Sequence, residues 1–142
     1  MIAKLTTGKG FRGLLDYLYG AVDQAGRPRA EIEDLGGTVP GRSPREISQS
    51  FRAIRIQRPR RNDVVRHLSV RFAPEDMQAG TVTIGMKTAI ANEVAEAMGW
   101  SAWKAVSHGE DFHIVGSVVG WDGALAPDSH TKRRAERTMR DV

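Results

Sequence analysis

The side chains best able to do chemistry are four histidines (His67, His108, His113 and His130) and two tyrosines (Tyr17 and Tyr19). The densest group of potential ligands is Val106-Ser107-His108-Gly109-Glu110-Asp111-Phe112-His113-Ile114-Val115. If one strand ends near His108 and the next begins near His113, the two imidazoles converge across a short turn. His67, on the polar face of another strand, can join them. Three imidazoles with an open position hold a divalent ion that polarises a phosphoryl oxygen. Glu110 and Asp111 can ligate directly or orient an imidazole. The same run also fits a polar turn with two incidental histidines, because the spacing is not specific. Tyr17 lies about 120° round a helix from the apolar stripe Phe11, Leu14, Leu15, Leu18, so its phenol is predicted to point away from the core. A tyrosine oxygen can attack phosphorus and leave a phosphodiester link to the protein. Spacing alone favours a plainer role, an amphipathic rim residue. Tyr19 lies nearer the stripe and reads as boundary packing. There is no cysteine, which excludes disulfides, zinc–thiolate sites and cysteine nucleophiles.

These residues need elements to position them. A short strand is predicted over Ile2–Leu5, and a helix over Phe11–Leu18 ending at Gly20. Glu31–Leu35 reads as a short strand or irregular stretch. Ser43-Pro44-Arg45-Glu46 is a helix start with a cap, a proline at the first turn and a capping-box glutamate. Ile47, Phe51 and Ile54 supply that helix's buried stripe, which leaves Arg45, Arg52 and Arg55 outside. Val65–Phe72 alternates, with Leu68, Val70 and Phe72 on one face and His67, Ser69 and Arg71 on the other. A helix over Thr83–Met98 is predicted to turn Met86, Ile90, Val94 and Ala97 inward. Strands over Ala102–Ser107 and Phe112–Val119 follow, then a turn at Asp122-Gly123 and a last helix with a basic face at Arg133, Arg137 and Arg140. Trp100, Trp103 and Trp121 read as packing residues, although aromatics beside arginine can also stack bases. The order predicts an α+β domain, a mostly antiparallel sheet with helices on one face.

The chain has 142 residues and 15.6 kDa, enough for one core. Apolar residues are 40% and charged residues 27%, which excludes a wholly disordered chain. No apolar run reaches the roughly 20 residues of a membrane span, and the start lacks a secretory core, so a cytoplasmic protein is expected. The net charge of +4 is unevenly spread. Arg27–Arg71 holds eleven arginines against five acids, Phe72–Thr131 two lysines against eight acids, and the last eleven residues five bases against two acids. Arginine forks suit phosphate, so the basic segments predict a nucleic-acid partner.

Four motifs come in a specific order: Met1-Ile2-Ala3-Lys4, Gly10-Phe11-Arg12-Gly13-Leu14-Leu15-Asp16-Tyr17-Leu18, His67-Leu68-Ser69-Val70-Arg71-Phe72, and His108-Gly109-Glu110-Asp111 leading into His113-Ile114-Val115. In this the chain resembles the relaxases, or mobilization nucleases, of the VirD2-like group. The resemblance implies an HUH-type sheet with helices packed on one side, and a nickase acting at the transfer origin of a plasmid or mobile element. In such enzymes a tyrosine attacks the scissile phosphate with the help of a histidine-held divalent ion, and the 5′ end stays on the tyrosine. Tyr17 matches the nucleophile, and His108 and His113 match histidines of the third motif. That motif normally ends in His-x-His, whereas Asp111 stands two before His113. The expected site is therefore one histidine short, with Asp111 or His67 completing it and an oxygen ligand suiting Mg²⁺ or Mn²⁺.

Two functions follow. One is a minimal nickase with Tyr17 as nucleophile, His108, His113, Asp111 and His67 as metal residues, and Arg45, Arg52, Arg55, Arg58, Arg60, Arg61, Arg71, Arg133 and Arg137 gripping single-stranded DNA. The other is a catalytically degenerate relaxase fold that binds nucleic acid, or a nucleoprotein complex, and blocks it. Either is a single domain over residues 1–142, ending early relative to the family.

Overall fold

A computed structural model provides the fold and describes residues 1–23, 25–29, 32–127 and 137. The elements are β1 (Ile2–Gly8), α1 (Arg12–Leu18), β2 (Glu33–Gly37), α2 (Pro44–Arg55), β3 (Val65–Arg71), α3 (Pro74–Gln78), α4 (Ile84–Met98), β4 (Trp103–His108) and β5 (Asp111–Ser117). All five strands form one sheet in the order β1-β3-β5-β4-β2, and every neighbouring pair is antiparallel. The class is α+β, as expected. The final predicted helix, with Arg133 and Arg140, lies outside the described residues apart from Arg137, which is exposed.

Local chemistry accounts for the helix ends. Ser43 Oγ accepts from the Glu46 amide at 3.2 Å, and the Glu46 carboxylate reaches back to the Arg42 amide at 3.4 Å, so α2 begins with two otherwise orphaned donors satisfied. Thr83 caps α4 in the same way through the Met86 amide at 3.1 Å, and Gly99 ends it in the left-handed region. The buried face of α4 is turned from the predicted one. Lys87, Ile90, Ala91, Val94, Ala95 and Met98 face inward, whereas Met86 and Ala97 are exposed. The apolar pattern alone points to Met86, but the Lys87 stem takes that place and buries its methylenes against the sheet.

Side chains alternate across each strand. Leu68, Val70, Ala105, Phe112 and Ile114 pack with α4 and Trp100 on one face. Val65, Val106 and Val115 pack on the opposite face with Phe11, Leu15 and Leu18 of α1 and Ile47, Phe51 and Ile54 of α2. The helices are thus divided between both faces rather than gathered on one. The reason lies in β4 and β5, which are buried on both sides and so are covered on both. Phe11 and Phe51 stack at 4.1 Å between ring centroids and fasten α1 to α2. Gly116 lets Trp100 lie on the β5 backbone, since a Cβ there would meet the indole at 2.4 Å. One consequence matters for chemistry: the polar stretch His67, Ser69, Arg71 is the floor of a cleft walled by α1, not an open face.

Candidate active site

The β4–β5 turn builds the centre of the cleft. His108 pairs with Asp111 across a two-residue turn, Gly109-Glu110. Gly109 occupies the left-handed region (φ 73°) that such a tight turn requires. Register then sets the rest. Ser69 and Val106 flank His113, Arg71 flanks Asp111, and His67 flanks Val115, all pointing to the α1 side of the sheet.

His108, Asp111 and His113 each offer a ligand atom, and the three atoms lie within 4.8 Å of one another. Hydrogen bonds choose the ring nitrogens. His108 Nε2 bonds the Leu18 carbonyl, which can only accept, so the proton sits on Nε2 and Nδ1 keeps its lone pair. His113 Nδ1 lies 2.9 Å from His67 Nε2, while His113 Nε2 faces Asp111 Oδ2 at 3.7 Å. With the shared proton on His113 Nδ1, Nε2 is free to ligate. His67 therefore stands behind His113 as an orienting group, not within the ligand trio. Two imidazoles and one carboxylate on one face of a hairpin leave coordination positions open, and this donor set suits a divalent ion such as Mn²⁺.

The imidazoles are neutral near pH 7. Burial, reinforced by His108, pushes His67 down to about 4. Burial, with His67, His108 and two arginines nearby, pushes His113 down to about 3. His108 is lowered by burial, against the pull of the Leu18 carbonyl and Asp111. Neutral imidazole is the form that binds metal. It also has a stability consequence. Below the ordinary histidine value of about 6.5 the unfolded chain takes up protons that the fold refuses, so stability must fall with pH. We expect the chelator-treated protein to lose melting temperature steadily between about pH 6.5 and 4. Replacing His67 and His113 together with glutamine should flatten that loss. An unchanged slope in the double variant would show that these histidines are not held neutral.

Tyr17 is 38% exposed and lines two hollows. One, of about 490 Å³, also holds His108, Asp111, His113, Glu110, Arg27, Arg29 and Arg71. The other, of about 540 Å³, is lined by Lys4, Thr6, Leu14, His67 and Ser69. Tyr17 thus stands between the ligand trio and a second recess of comparable size. Tyr19 is different, since its hydroxyl is buried. Burial and the neighbouring Asp34 carboxylate raise its pKa well above the ordinary phenol value.

The predicted basic residues separate into groups. Arg71 sits in the cleft, Nη2 3.8 Å from Asp111 Oδ2. Arg45, Arg52 and Arg55 line a groove of about 620 Å³ between α1 and α2, where Arg55 also donates to the Lys9 carbonyl. Arg58 donates to the Gly123 carbonyl at 2.7 Å, and Arg61 pairs with Asp63 at 2.6 Å. Arg60 lines a shallow hollow with these two and is exposed.

Sequence reading missed two residues that shape the site. Arg29 lies over the Tyr17 ring, its Cζ 4.7 Å from the centroid. Lys87 is 4% exposed and donates to Ser107 Oγ at 2.7 Å and to the Gly109 carbonyl. It holds the ligand-bearing turn from the opposite face of the sheet. A lysine at an inward helix position, within reach of a Gly-turn, was the one available signal. Lys87→Met keeps the stem but leaves Ser107 and Gly109 without this donor. We expect a loss of about 1–3 kcal/mol in urea unfolding and roughly tenfold weaker Mn²⁺ binding. Wild-type metal affinity in this variant would sever the turn from Lys87.

Comparison with known proteins supplies the family. No curated protein and no solved structure matches the chain. A family model does, described as relaxase, MobA/VirD2-like, nuclease domain, over residues 25–142. The match contains His67, His108, Asp111 and His113, while Tyr17 precedes it. Among the described residues no helix is long and apolar enough to cross a membrane. The match spans most of the chain and includes all three residues of the ligand trio, so the chain belongs to the MobA/VirD2-like relaxase family.

Proposed function

We propose that the protein nicks single-stranded DNA at a transfer origin of a plasmid or other mobile element, using Tyr17 as the nucleophile. The observation that carries this reading is the shared hollow: the phenol lines the same cavity as His108, Asp111 and His113. Tyr17 Oη attacks the scissile phosphorus and forms a new P–O bond. The P–O3′ bond breaks, the phenolic proton passes to solvent, and the 3′ oxygen leaves as a hydroxyl after taking a proton. No oxidant or external energy source is needed, because one phosphodiester replaces another. The reverse attack by a 3′ hydroxyl restores the strand.

His108 Nδ1, His113 Nε2 and an Asp111 oxygen would hold the divalent ion, Mn²⁺ or Mg²⁺, which supplies Lewis-acid polarisation of the phosphoryl oxygen. His67 fixes the His113 ring. Arg71 neutralises charge at the cleft edge. Arg45, Arg52, Arg55 and the Arg58–Arg61 loop, with Arg133 and Arg137, provide phosphate contacts along the strand.

The test is to incubate the full chain with a fluorescent pool of random-sequence single-stranded 40-mers and Mn²⁺, then to resolve covalent adducts under denaturing conditions. A labelled protein band that carries the fragment 3′ of the cut, joined through its 5′ phosphate, is expected. Salt-dependent binding without any adduct would instead identify a binding-only relaxase fold, since phosphate contacts release counterions whether or not the strand is cut.

A further inference from the structure

After α1 the chain turns back on itself. The Asp23 carboxylate accepts from the Ala25 and Arg27 amides at 2.9 and 2.8 Å, the Asp23 amide donates to the Arg27 carbonyl at 2.8 Å, and the Arg29 amide donates to the Ala21 carbonyl at 2.9 Å. This fastened loop delivers Arg29 to the end of α1. There Nη1 donates to the Tyr17 and Gly20 carbonyls, both at 2.7 Å, while the guanidinium covers the Tyr17 ring.

The need for such a device is physical. A helix of seven residues is marginal by itself, and its last carbonyls lack helical partners. Arg29 takes the Tyr17 carbonyl of the last turn together with the Gly20 carbonyl just past the helix, and His108 takes the Leu18 carbonyl. The helix that bears the phenol is therefore fixed by cleft residues. Arg29 Nε and Nη2 make no hydrogen bond among the described residues, and the side chain lines the hollow with the ligand trio. Two nitrogens with unspent N–H donors, on a planar cation that lines the hollow, match the non-bridging oxygens of a phosphodiester.

We infer that Arg29 has a double role: it positions Tyr17 from behind, and it binds the non-bridging oxygens of the scissile phosphodiester through Nε and Nη2. This rests on the reading of the cleft as a nicking site. Guanidinium charge offsets charge building on the phosphoryl oxygens during attack. The same side chain that fixes the nucleophile thus also places its target.

The experiment has two arms on the full chain, with Arg29→Met, Arg29→Lys and, as a control, Arg42→Met, an exposed position outside the cleft. The first arm reads no chemistry: the dinucleotide thymidylyl-thymidine, which carries one phosphodiester, is titrated and followed by NMR line shifts. Arg29→Met should weaken its binding at least fivefold relative to Arg42→Met. Arg29→Lys should recover part of the loss, because it keeps the charge but not the fork. The second arm measures adduct formation on the 40-mer pool. Arg29→Met should lower the maximal rate about 100-fold with a smaller change in the DNA concentration for half-maximal rate, and added guanidinium should restore part of it. Thymidylyl-thymidine binding in Arg29→Met equal to that in Arg42→Met overturns the inference whatever the rates. A wild-type protein that binds the dinucleotide through Arg29 but forms no adduct overturns the nicking reading and leaves the phosphodiester contact standing. Should Arg29→Met fail to fold, Arg29→Lys against wild type decides in both arms, and equality in both rejects the inference.

Discussion

Tyr17→Phe should abolish covalent adduct formation, by about a thousandfold or more, while strand binding stays within about twofold of wild type. The substitution removes one oxygen and keeps the ring. The ring's contact with Arg29 and the packing of α1 need only the aromatic body, so the fold and the arginine's position are retained. What is lost is the nucleophile itself, which cannot be replaced by a neighbour. Tyr19 is the one other tyrosine, and its hydroxyl is buried with a raised pKa, which makes it a poorer attacking group and hides it from a DNA strand. Losing a covalent nucleophile is among the largest single effects in enzyme mutagenesis, and what survives is binding and electrostatic stabilisation. Tyr19→Phe should accordingly leave adduct formation intact. A Tyr17→Phe protein that still becomes covalently labelled removes Tyr17 from the mechanism, and an unlabelled Tyr19→Phe protein would move the nucleophile there.

The two tyrosines also show what could be read in the sequence and what could not. The angular offset of Tyr17 from the stripe of Phe11, Leu15 and Leu18 is a local property, and it predicts the exposed phenol that is found. Likewise Ser43 with Glu46 announces the start of α2, and Thr83 and Gly99 mark the two ends of α4. The alternation in β3 predicts which side His67 and Arg71 take. The union of His67 with His113 is not local. It depends on the β3–β5 register, which joins residues 46 apart, and a one-residue slip would have turned His67 to the α4 side. Arg29 was invisible for a related reason. Twelve residues separate it from the Tyr17 carbonyl, and only the closure of the loop around Asp23 brings it there. The division of helices between both faces was hidden too, because strand burial on two sides reads in sequence only as an apolar run.

His113→Ala should have the second largest effect, and its contrast with His67→Ala tests the ligand assignment directly. His113 supplies a nitrogen to the trio and also receives its orientation from His67. Removing it leaves one imidazole and one carboxylate, His108 and Asp111, too few to hold Mn²⁺ tightly. A loss of about 100-fold or more in Mn²⁺ affinity is expected, with adduct formation falling to the level of the chelated wild type. His67 acts one step further out, so His67→Ala frees the His113 ring without deleting its lone pair. Outer ligands of this kind typically contribute about 10–100-fold, so the His67 variant should lie between wild type and His113→Ala. Asp111→Asn separates charge from geometry, because the amide keeps an oxygen in place but cannot offset the charge of the ion. Its affinity should fall more than that of His67→Ala. Titration of Mn²⁺ by electron paramagnetic resonance, which reads free ion directly, ranks the variants without reference to turnover. Equal losses at His67 and His113 would place both imidazoles on the metal and require the His67–His113 hydrogen bond to open when the ion enters. Unequal losses in the expected order keep that bond closed and make the β3–β5 register the device that aims the ligand.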